Sequence, residues 1–365
     1  MPTFQEAHQR HATYFGNVLQ NINNLYLQGG ESTNYALSIF DLERPNIEVA
    51  QKWSEKYSSN HSKAAWFCAS FPEMGSHVLD LRQHPYDRIQ WLKAALNAAR
   101  HFNLNQQFIC SHLANLGAVY LSIGQPHCGI KYLYEALLVA REIGDLQYEG
   151  VALGNLGNAY SNLGDLAHAV NYYTEDLAVS RQLHDRRSEG ITLLNLGNVY
   201  ARRKDFHSAI ACYKQALLIA RELGDLRNEG NALGNLGVSY RHLGDVQLSI
   251  EHHNYSLAIN QEINDLKGAA NSLGNLGLLY ADLGEFDKAL NYYEQQLVLA
   301  NKIVDRRGQA AALYNTGLTL DKLGNREQAI AKAKTALTIF EEVEDKESIQ
   351  KVRSKLEHWQ RRPWQ

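Results

Sequence analysis

Apolar and polar residues follow one another along most of this chain in a pattern that repeats every 40 residues. Each unit holds two stretches with apolar residues at helical spacing, separated by a short polar segment. In residues 185–224 the first stretch places Leu196 and Tyr200 on one face, and the second places Tyr213 and Leu217 on another. The pattern therefore predicts two helices in each unit, over about 108–123 and 126–143 and at every further step of 40.

One tripeptide marks the repeat. Asn-Leu-Gly begins at residues 115, 155, 195, 235 and 275, and Asn315-Thr316-Gly317 is its sixth copy. Glycine inside a helix costs roughly 1 kcal/mol relative to alanine, so six glycines in one register predict a close approach between helices and not a phosphate-binding loop. The second helix carries a matching small residue: Gly129, Ala169, Ala209, Ser249, Ala289 and Ala329.

In most units the turn between the two helices carries glycine followed by a capping residue. Glycine suits the left-handed conformation that ends the first helix, and an acidic or amide side chain caps the second. The third unit departs from this pattern with Lys204-Asp205, where we expect the same turn at some cost. The other copies are Gly164-Asp165, Gly244-Asp245, Gly284-Glu285 and Gly324-Asn325.

Leucine, glycine and tyrosine on the first helix, with a small residue and an aromatic residue on the second, resemble the tetratricopeptide repeat (TPR). The usual unit has 34 residues. This one has 40 and no closing proline, in which it is similar to the repeats of Pins-type spindle-orientation adaptors and of bacterial sensor proteins. The resemblance covers residues 107–345 and implies an all-α, right-handed superhelical solenoid of antiparallel helix pairs with helical caps.

The N-terminal segment, residues 1–63, is expected to form a helical cap. Helices are predicted over about 3–27, 31–43 and 46–59, with breaks at Gly29-Gly30 and at Pro45. The stretch from Ala36 resembles the segment that follows the nucleotide-binding domains of bacterial STAND-type signal-transduction ATPases with repeat sensors. A generic cap is the alternative. The sequence contains no GxxxxGK[ST] motif, so no P-loop is assigned.

Two further segments flank the six regular repeats of residues 106–345. Residues 64–105 resemble a degenerate TPR-like helix pair, because the stretch from Trp91 aligns with that from Lys131 at the same offset of 40. Residues 346–365 are expected to form a C-terminal capping helix and tail, with Val352, Leu356 and Trp359 turned inward.

Composition narrows the class of protein. Lys and Arg number 36 and Asp and Glu 39, so no basic excess indicates binding to nucleic acid or to an anionic membrane. No run of 18 apolar residues occurs, and the N-terminus lacks the apolar core of a signal peptide, so we expect a soluble, cytoplasmic protein. The four cysteines are far apart and are expected to be small buried residues in a reducing compartment: Cys68, Cys110, Cys128 and Cys212.

Catalytic chemistry has no motif in this sequence. The 15 histidines form no HExxH or Cys/His cluster, so we expect neither a metal nor another cofactor. His253 stands at the aromatic position of its repeat and is expected to be packed. No nucleophile has a base and an orienting group indicated nearby, and the chain is not expected to be an enzyme.

Asparagines on the first helices give the clearest indication of a binding surface. In the resembled fold the position before the repeated leucine faces the concave groove. An amide offers donors and an acceptor, so a row of amides can pair with the backbone of an extended peptide. The alternative is that the asparagines bond the neighbouring repeat and only fix its stacking. The row comprises Asn115, Asn155, Asn195, Asn235, Asn275 and Asn315, with Asn158 and Asn198 three residues further on in two copies.

Other groove positions set its expected character. Val238 and Leu278 replace the second asparagine, which predicts an apolar groove toward the C-terminus. Gly154, Gly234 and Gly274, one residue before the row, are expected to leave room for a ligand backbone. A basic cluster in the middle repeats either meets a carboxylate of the ligand or is solvated surface: Arg202, Arg203, Arg241 and His242.

The sequence thus favours a non-catalytic protein-interaction module whose concave groove binds an extended peptide or a helix of a partner with acidic character. The alternative is the ligand-recognition arm of a bacterial STAND-type signalling or defence regulator.

Overall fold

The computed structural model describes residues 3–361, and this part of the chain consists of 18 α-helices joined by short turns. The chain divides into two compact units, Met1–Asp185 and Arg186–Gln365, which are described separately. The helices are α1 Phe4–Leu27, α2 Glu31–Tyr57, α3 Ser62–Met74, α4 Ser76–Arg82, α5 Pro85–His101, α6 Gln106–Ser122, α7 Pro126–Ile143, α8 Leu146–Leu163, α9 Leu166–Gln182, α10 Arg186–Arg202, α11 Phe206–Leu223, α12 Leu226–Leu243, α13 Val246–Glu262, α14 Leu266–Asp282, α15 Phe286–Lys302, α16 Arg306–Lys322, α17 Arg326–Glu342 and α18 Lys346–Arg361.

The N-terminal helices differ from the prediction at one point. The break at Gly29-Gly30 is present, and both glycines have positive φ. Pro45, however, lies inside α2, which continues through it to Tyr57. The prediction of a break was wrong because Phe40 and Ile47, on either side of the proline, are both buried in the same core. Tertiary packing thereby outweighs the backbone hydrogen bond that proline cannot make.

Residues 64–105 contain more than a pair of helices. The short α4 lies between α3 and α5, and α5 packs on both α3 and α6. A core of aromatic and aliphatic side chains joins α1, α2, α3 and α4, with Leu19, Trp53, Phe71 and Leu79 at most 5% exposed. This core holds α4 and the start of α5 in place beside the first regular repeat.

The predicted helix pairs are present throughout the repeats, and the all-α fold class is confirmed. In each unit every repeat helix packs on the next one along the chain. First helices also touch the first helices of the following repeat: α6 contacts α8, α10 contacts α12, α12 contacts α14, and α14 contacts α16. The first helices of neighbouring repeats therefore form a continuous wall within each unit.

The repeated glycine lies at the closest approach of each pair, as predicted. A Cβ built on Gly197 would lie 2.5 Å from Cε1 of Tyr213, and one built on Gly277 would lie 2.5 Å from the same atom of Tyr293. At Gly237 the ring of His253 fills this place, and His253 is fully buried as expected. The aromatic position of the second helix packs directly on the glycine of the first.

A second recurrent contact involves the tyrosine that stands three residues after the glycine of the tripeptide. This ring stacks on an aromatic ring 12 residues later in the second helix, with centroids 5.3–5.5 Å apart in three repeats. The stacked pairs are Tyr120 with Tyr132, Tyr160 with Tyr172, and Tyr280 with Tyr292.

The turns follow the predicted chemistry with two exceptions. Gly164, Gly244, Gly284 and Gly324 have positive φ, and Lys204 adopts the same conformation with φ 62°. The side chains of Asp165, Asp205 and Asp245 accept a backbone N–H of the second helix. Glu285 and Asn325, expected to cap in the same way, make no such bond. Glutamate is a poorer N-cap than aspartate, and at Asn325 the amide makes no cap bond in spite of its good intrinsic preference.

The C-terminal helix α18 covers the last repeat. Val352, Leu356 and Trp359 are buried as expected, and Nε1 of Trp359 donates to Oδ2 of Asp321 at 2.6 Å. The tail after Arg361 lies outside the described residues. Of the four cysteines, Cys68, Cys110 and Cys212 are buried, but Cys128 is exposed, contrary to expectation, because it lies in the first turn of α7 on its outer side.

Candidate functional site

The asparagine row is half-buried along the wall of first helices in both units. In Arg186–Gln365 three of its members, Asn235, Asn275 and Asn315, line one cavity of about 380 Å³. Because these three residues come from α12, α14 and α16, the cavity runs across three consecutive repeats. Three of the predicted site residues therefore converge on one concave surface.

The floor of this cavity is built by polar side chains from the second helices. Ser256 and Asn260 reach it from α13, and Gln296 reaches it from α15. Gln296 is 7% exposed, and its Oε1 has no hydrogen-bond partner in the described chain. Sequence reasoning did not identify any of these three residues, because it considered only the first helices.

Glycines on the first helices make room for these side chains. A Cβ on Gly274 would lie 2.7 Å from Nε2 of Gln296, and one on Gly234 would lie 3.4 Å from Oγ of Ser256. The space that we expected Gly234 and Gly274 to leave for a ligand is therefore filled by the protein itself. The space at Gly154 is filled in the same way, since a Cβ built on it would lie 3.2 Å from Oδ2 of Asp176.

At these positions, the residue on the first helix and the facing residue on the second helix vary together across all six repeats. Where the first helix has glycine, the residue 22 positions later on the second helix is polar; where it has a larger residue or alanine, the second helix has alanine. The pairs are Ala114 with Ala136, Gly154 with Asp176, Leu194 with Ala216, Gly234 with Ser256, Gly274 with Gln296, and Tyr314 with Ala336. This covariation between two helices is the sequence signal that could have revealed the cavity floor.

Part of the floor is already hydrogen-bonded within the protein. Oγ of Ser256 donates to the carbonyl oxygen of Gly230 at 2.9 Å, and Nδ2 of Asn260 donates to Oγ of Ser256 at 3.2 Å. Ser272 donates to the same Oγ at 3.1 Å. These bonds fix the shape of the floor beside Gln296, whose buried side-chain oxygen has no hydrogen-bond partner in the described chain.

The two additional asparagines have a structural role. Oδ1 of Asn158 accepts from the hydroxyl of Tyr173 at 2.6 Å, and Oδ1 of Asn198 accepts from the hydroxyl of Tyr213 at 2.8 Å. Asn235 also donates to Oδ1 of Asn198, at 3.1 Å. The stacking role that we weighed as the alternative is thus present at Asn198 and Asn235.

Other members of the row have few bonds or none. Nδ2 of Asn115 donates to Oγ of Ser111 at 3.3 Å. No hydrogen bond within the described residues involves the side chains of Asn155, Asn195, Asn275 or Asn315, which leaves their amides available. Asn275, Asn315 and Gln296 line the same cavity of Arg186–Gln365.

We therefore expect a sharp contrast between two asparagines of this unit. Asn198→Ala removes the acceptor of both Tyr213 and Asn235, and should lower the free energy of unfolding by about 1–2 kcal/mol. Asn275→Ala removes no bond, and alanine favours the helix, so stability should be unchanged or slightly higher. Urea unfolding of the two variants checks this contrast, and equal stabilities would contradict it.

The predicted basic cluster does not line the cavity. The guanidinium of Arg241 forms two hydrogen bonds with Oδ2 of Asp282, at 2.8 and 3.2 Å. His242 stacks on Phe206 with ring centroids 4.5 Å apart. Arg202 is exposed at the end of α10. A carboxylate does meet Arg241, but it belongs to the next repeat of the same chain.

Val238 and Leu278 line the cavity as expected and give it apolar patches between the amides. The described residues contain no group of three or more histidine, cysteine, aspartate or glutamate side chains placed to hold a metal ion. No helix in this part of the chain is long and apolar enough to cross a membrane. The arrangement offers hydrogen bonding and shape, with polar amides set between small apolar surfaces.

The sequence profile of the tetratricopeptide repeat family matches residues 108–182, 188–262 and 268–342, which together make up more than half of the chain. No curated protein sequence matches.

Three solved structures have a similar fold at low sequence identity, which shows the fold alone. The STAND protein with a tetratricopeptide repeat sensor from Pyrococcus horikoshii has a TM-score of 0.67 and 14% identity, covering 92% of this chain and 52% of that protein. The apo quorum sensor NprR from B. thuringiensis has a TM-score of 0.66 and 15% identity, covering 88% and 90%. A Rap protein complexed with Competence and Sporulation Factor has a TM-score of 0.56 and 14% identity, covering 96% and 98%.

Proposed function

The chain belongs to the tetratricopeptide repeat family, and we propose on that premise that the cavity of Arg186–Gln365 binds an extended peptide segment of a partner protein. The family is an interaction fold, so the chain is a protein-interaction or sensor module. The observation that carries the proposal is the set of amide groups without partners, Asn275, Asn315 and Gln296, that converge on one groove.

The chemistry of these groups favours a peptide backbone as the ligand. A backbone offers one N–H and one C=O per residue, and amide side chains can pair with both. Gln296 presents an acceptor to an N–H, while the NH₂ groups of Asn275 and Asn315 can donate to carbonyl oxygens. Val238 and Leu278 provide apolar contacts for side chains of the ligand. Recognition should therefore depend on the backbone more than on any one side chain.

The experiment uses a library of displayed 12-residue peptides selected on the whole protein, followed by fluorescence polarisation of an enriched peptide. The double change Asn275→Ala, Asn315→Ala should weaken its binding by about 1–3 kcal/mol, which is at least fivefold in the dissociation constant. Melting temperature should not fall, since neither amide bonds another group of the protein. Asn254→Ala, an exposed asparagine outside the cavity, is the matched control and should bind as the wild type does.

Backbone methylation of the peptide is a second test of whether the cavity recognises the peptide backbone. An N-methyl group placed where an N–H meets Gln296 should lower affinity, whereas changing neighbouring side chains to alanine should have a smaller effect. Full affinity in the double asparagine variant would contradict the groove proposal. A strong fall in melting temperature of that variant would assign the two amides to stacking instead.

A sensor role is the second candidate. It is supported by the similarity to the STAND protein with a repeat sensor, which extends over 92% of this chain and so includes helices outside the regular repeats. Two other neighbours are named as a quorum sensor and as a protein complexed with a sporulation factor. A sensor should change its amide-exchange protection beyond the cavity on binding the selected peptide. A passive scaffold should gain protection only in the helices that line the cavity, α12 to α16.

A further inference from the structure

A second cavity lies in Met1–Asp185, beside the first asparagine of the row. Its volume is about 240 Å³, and Asn115 of α6 lines one side of it. The other sides come from α4, α5 and the turn between them, outside the regular repeats. This cavity and the groove lined by Asn275 and Asn315 thus belong to different units of the chain.

Arg88 is the most unusual residue of this cavity. Its side chain is only 2% exposed, yet none of its three guanidinium nitrogens has a hydrogen-bond partner in the described chain. Nε lies 3.2 Å from Oδ1 of Asp80, an ion pair without hydrogen-bond alignment. Asp80 thus approaches only Nε, and the N–H groups of Nη1 and Nη2 have no acceptor in the described chain. Buried donors without acceptors are costly, and the planar fork of a guanidinium suits a planar anion.

The nearby carboxylates do not meet this requirement. Asp80 is 59% exposed, so its side chain can turn out into solvent. Glu73 accepts from the hydroxyl of Ser111 and lies 3.4 Å from Nδ1 of His112. Burial raises the pKa of Glu73, which makes it a weaker counter-ion than an exposed carboxylate.

The cavity also contains an unpaired acceptor. Oε1 of Gln83 is buried and has no hydrogen-bond partner in the described chain. Around these polar groups, Leu79, Pro85 and Val119 form an apolar wall. Residues that carry a forked donor, a separate acceptor and an apolar surface therefore line the same small space.

We propose that this cavity binds the α-carboxylate of an apolar amino-acid residue. Arg88 donates to the carboxylate and displaces Asp80 as its counter-ion, the N–H on the α-carbon donates to Gln83, and the side chain packs against Leu79, Pro85 and Val119. An α-carboxylate carries an N–H one carbon away, which an aspartate or glutamate side chain does not. The volume, below that of pockets for drug-sized ligands, suits one residue.

The test is a titration of the whole protein followed by saturation-transfer NMR. N-acetyl-L-leucine should bind with a millimolar dissociation constant. N-acetyl-L-leucinamide, which lacks the charge, should bind at least tenfold more weakly, and 4-methylpentanoate, which lacks the N–H, severalfold more weakly. Free L-leucine distinguishes the two sources of the ligand: tighter binding than the acetylated compound indicates a free amino acid, and weaker binding indicates a peptide C-terminus.

Two variants and a matched control complete the test. Arg88→Gln should lower affinity for N-acetyl-L-leucine at least tenfold. Arg82→Gln makes the same charge change at an exposed arginine that pairs with Asp41 and does not line the cavity, and it should leave affinity within twofold. Asp80→Asn removes the competing carboxylate at an exposed position and should raise affinity severalfold.

Three results would overturn the proposal: equal binding of the acid and the amide, undiminished binding by Arg88→Gln, or no binding of N-acetyl-L-leucine at 20 mM. If Arg88→Gln does not fold, Asp80→Asn decides, because an unchanged or lower affinity in that variant is incompatible with a carboxylate site at Arg88.

Discussion

Gly197→Leu should lower the free energy of unfolding by about 3 kcal/mol or more, at the upper end of the cost of overpacking a core. Even a Cβ at this position would lie 2.5 Å from the ring of Tyr213. That ring is 2% exposed, and its hydroxyl donates to Asn198 on the same first helix, so it has no free space into which to turn. The two helices of the pair must separate or the side chains must leave their rotamers.

The matched control lies one repeat further along the chain. Gly234→Ala places its Cβ 3.4 Å from Oγ of Ser256, an ordinary contact, and alanine favours a helix by roughly 1 kcal/mol. We expect this variant to be as stable as the wild type or more so. Urea unfolding gives the global effect, and amide exchange should show that Gly197→Leu first affects α10, α11 and α12, since repeats couple to their neighbours.

Equal stability of Gly197→Leu and Gly234→Ala would contradict the close approach at the repeated glycine. A second test is relief by a compensating change. Tyr213→Ala should be costly alone, because it leaves a cavity, but should cost less in the Gly197→Leu background, because the new leucine occupies part of that space.

The regular repeats could be predicted from the sequence because each position of the repeat occurs six times. Gly197 alone says little, but six glycines in one register identify a helix–helix contact, and Tyr213 and Tyr293 identify its partner. Helix boundaries follow from the same repetition, since Asp165, Asp205 and Asp245 each mark the start of a second helix. The fold therefore follows from local pattern and repetition together.

The segment before the repeats lacks this redundancy. Pro45 predicts a break, and only the burial of Phe40 and Ile47 in one core explains why α2 continues. In the sequence, nothing distinguishes Arg88 from the other charged residues. Its burial depends on how α4 and α5 pack. Both features arise from contacts between segments that the sequence pattern does not link.

The groove was predicted in part. The asparagine row was placed on the first helices from the resemblance, and Asn235, Asn275 and Asn315 line one cavity. The floor was missed because Gln296 and Ser256 belong to the second helices, whose inward positions were treated as core. Opposite Gly274, the side-chain amide of Gln296 occupies the space that a larger residue would need, 2.7 Å from the position of a Cβ.

Acid should destabilise the Arg186–Gln365 unit through His253, and His253→Tyr should abolish most of that effect. The ring of His253 is fully buried, and neither nitrogen has a hydrogen-bond partner in the described chain. Burial, with smaller contributions from His252 and Arg241, lowers its pKa to about 4. The unfolded chain has the ordinary histidine pKa of about 6.5.

This difference between the folded and unfolded pKa of His253 makes the folded state less stable in acid. Below about pH 6.5 the unfolded state takes up a proton that the folded state does not, so stability falls with pH by about 1.4 kcal/mol per unit until the folded state titrates near pH 4. The total loss from this one group is about 3 kcal/mol. Above pH 6.5 both states are neutral, and His253 adds no pH dependence.

Tyrosine is the matched replacement because Tyr213 and Tyr293 occupy the same position against Gly197 and Gly277. Tyr213 has Asn198 as its hydroxyl partner, whereas the equivalent residue here is Val238, so Val238→Asn can be added to provide the missing acceptor. His207→Gln, at an exposed histidine of the same unit, is the control and should leave the pH dependence unchanged.

Amide exchange of α12 and α13 between pH 7 and 4.5, corrected for the intrinsic rate, measures the local stability. His112 provides an internal reference in the other unit, because its burial and the charge of Arg88 lower its pKa to about 3. In His253→Tyr the loss of protection on acidification should persist in α6, which carries His112, and shrink in α12 and α13. An unchanged loss in all three helices would mean that acid lability in Arg186–Gln365 arises from groups other than His253.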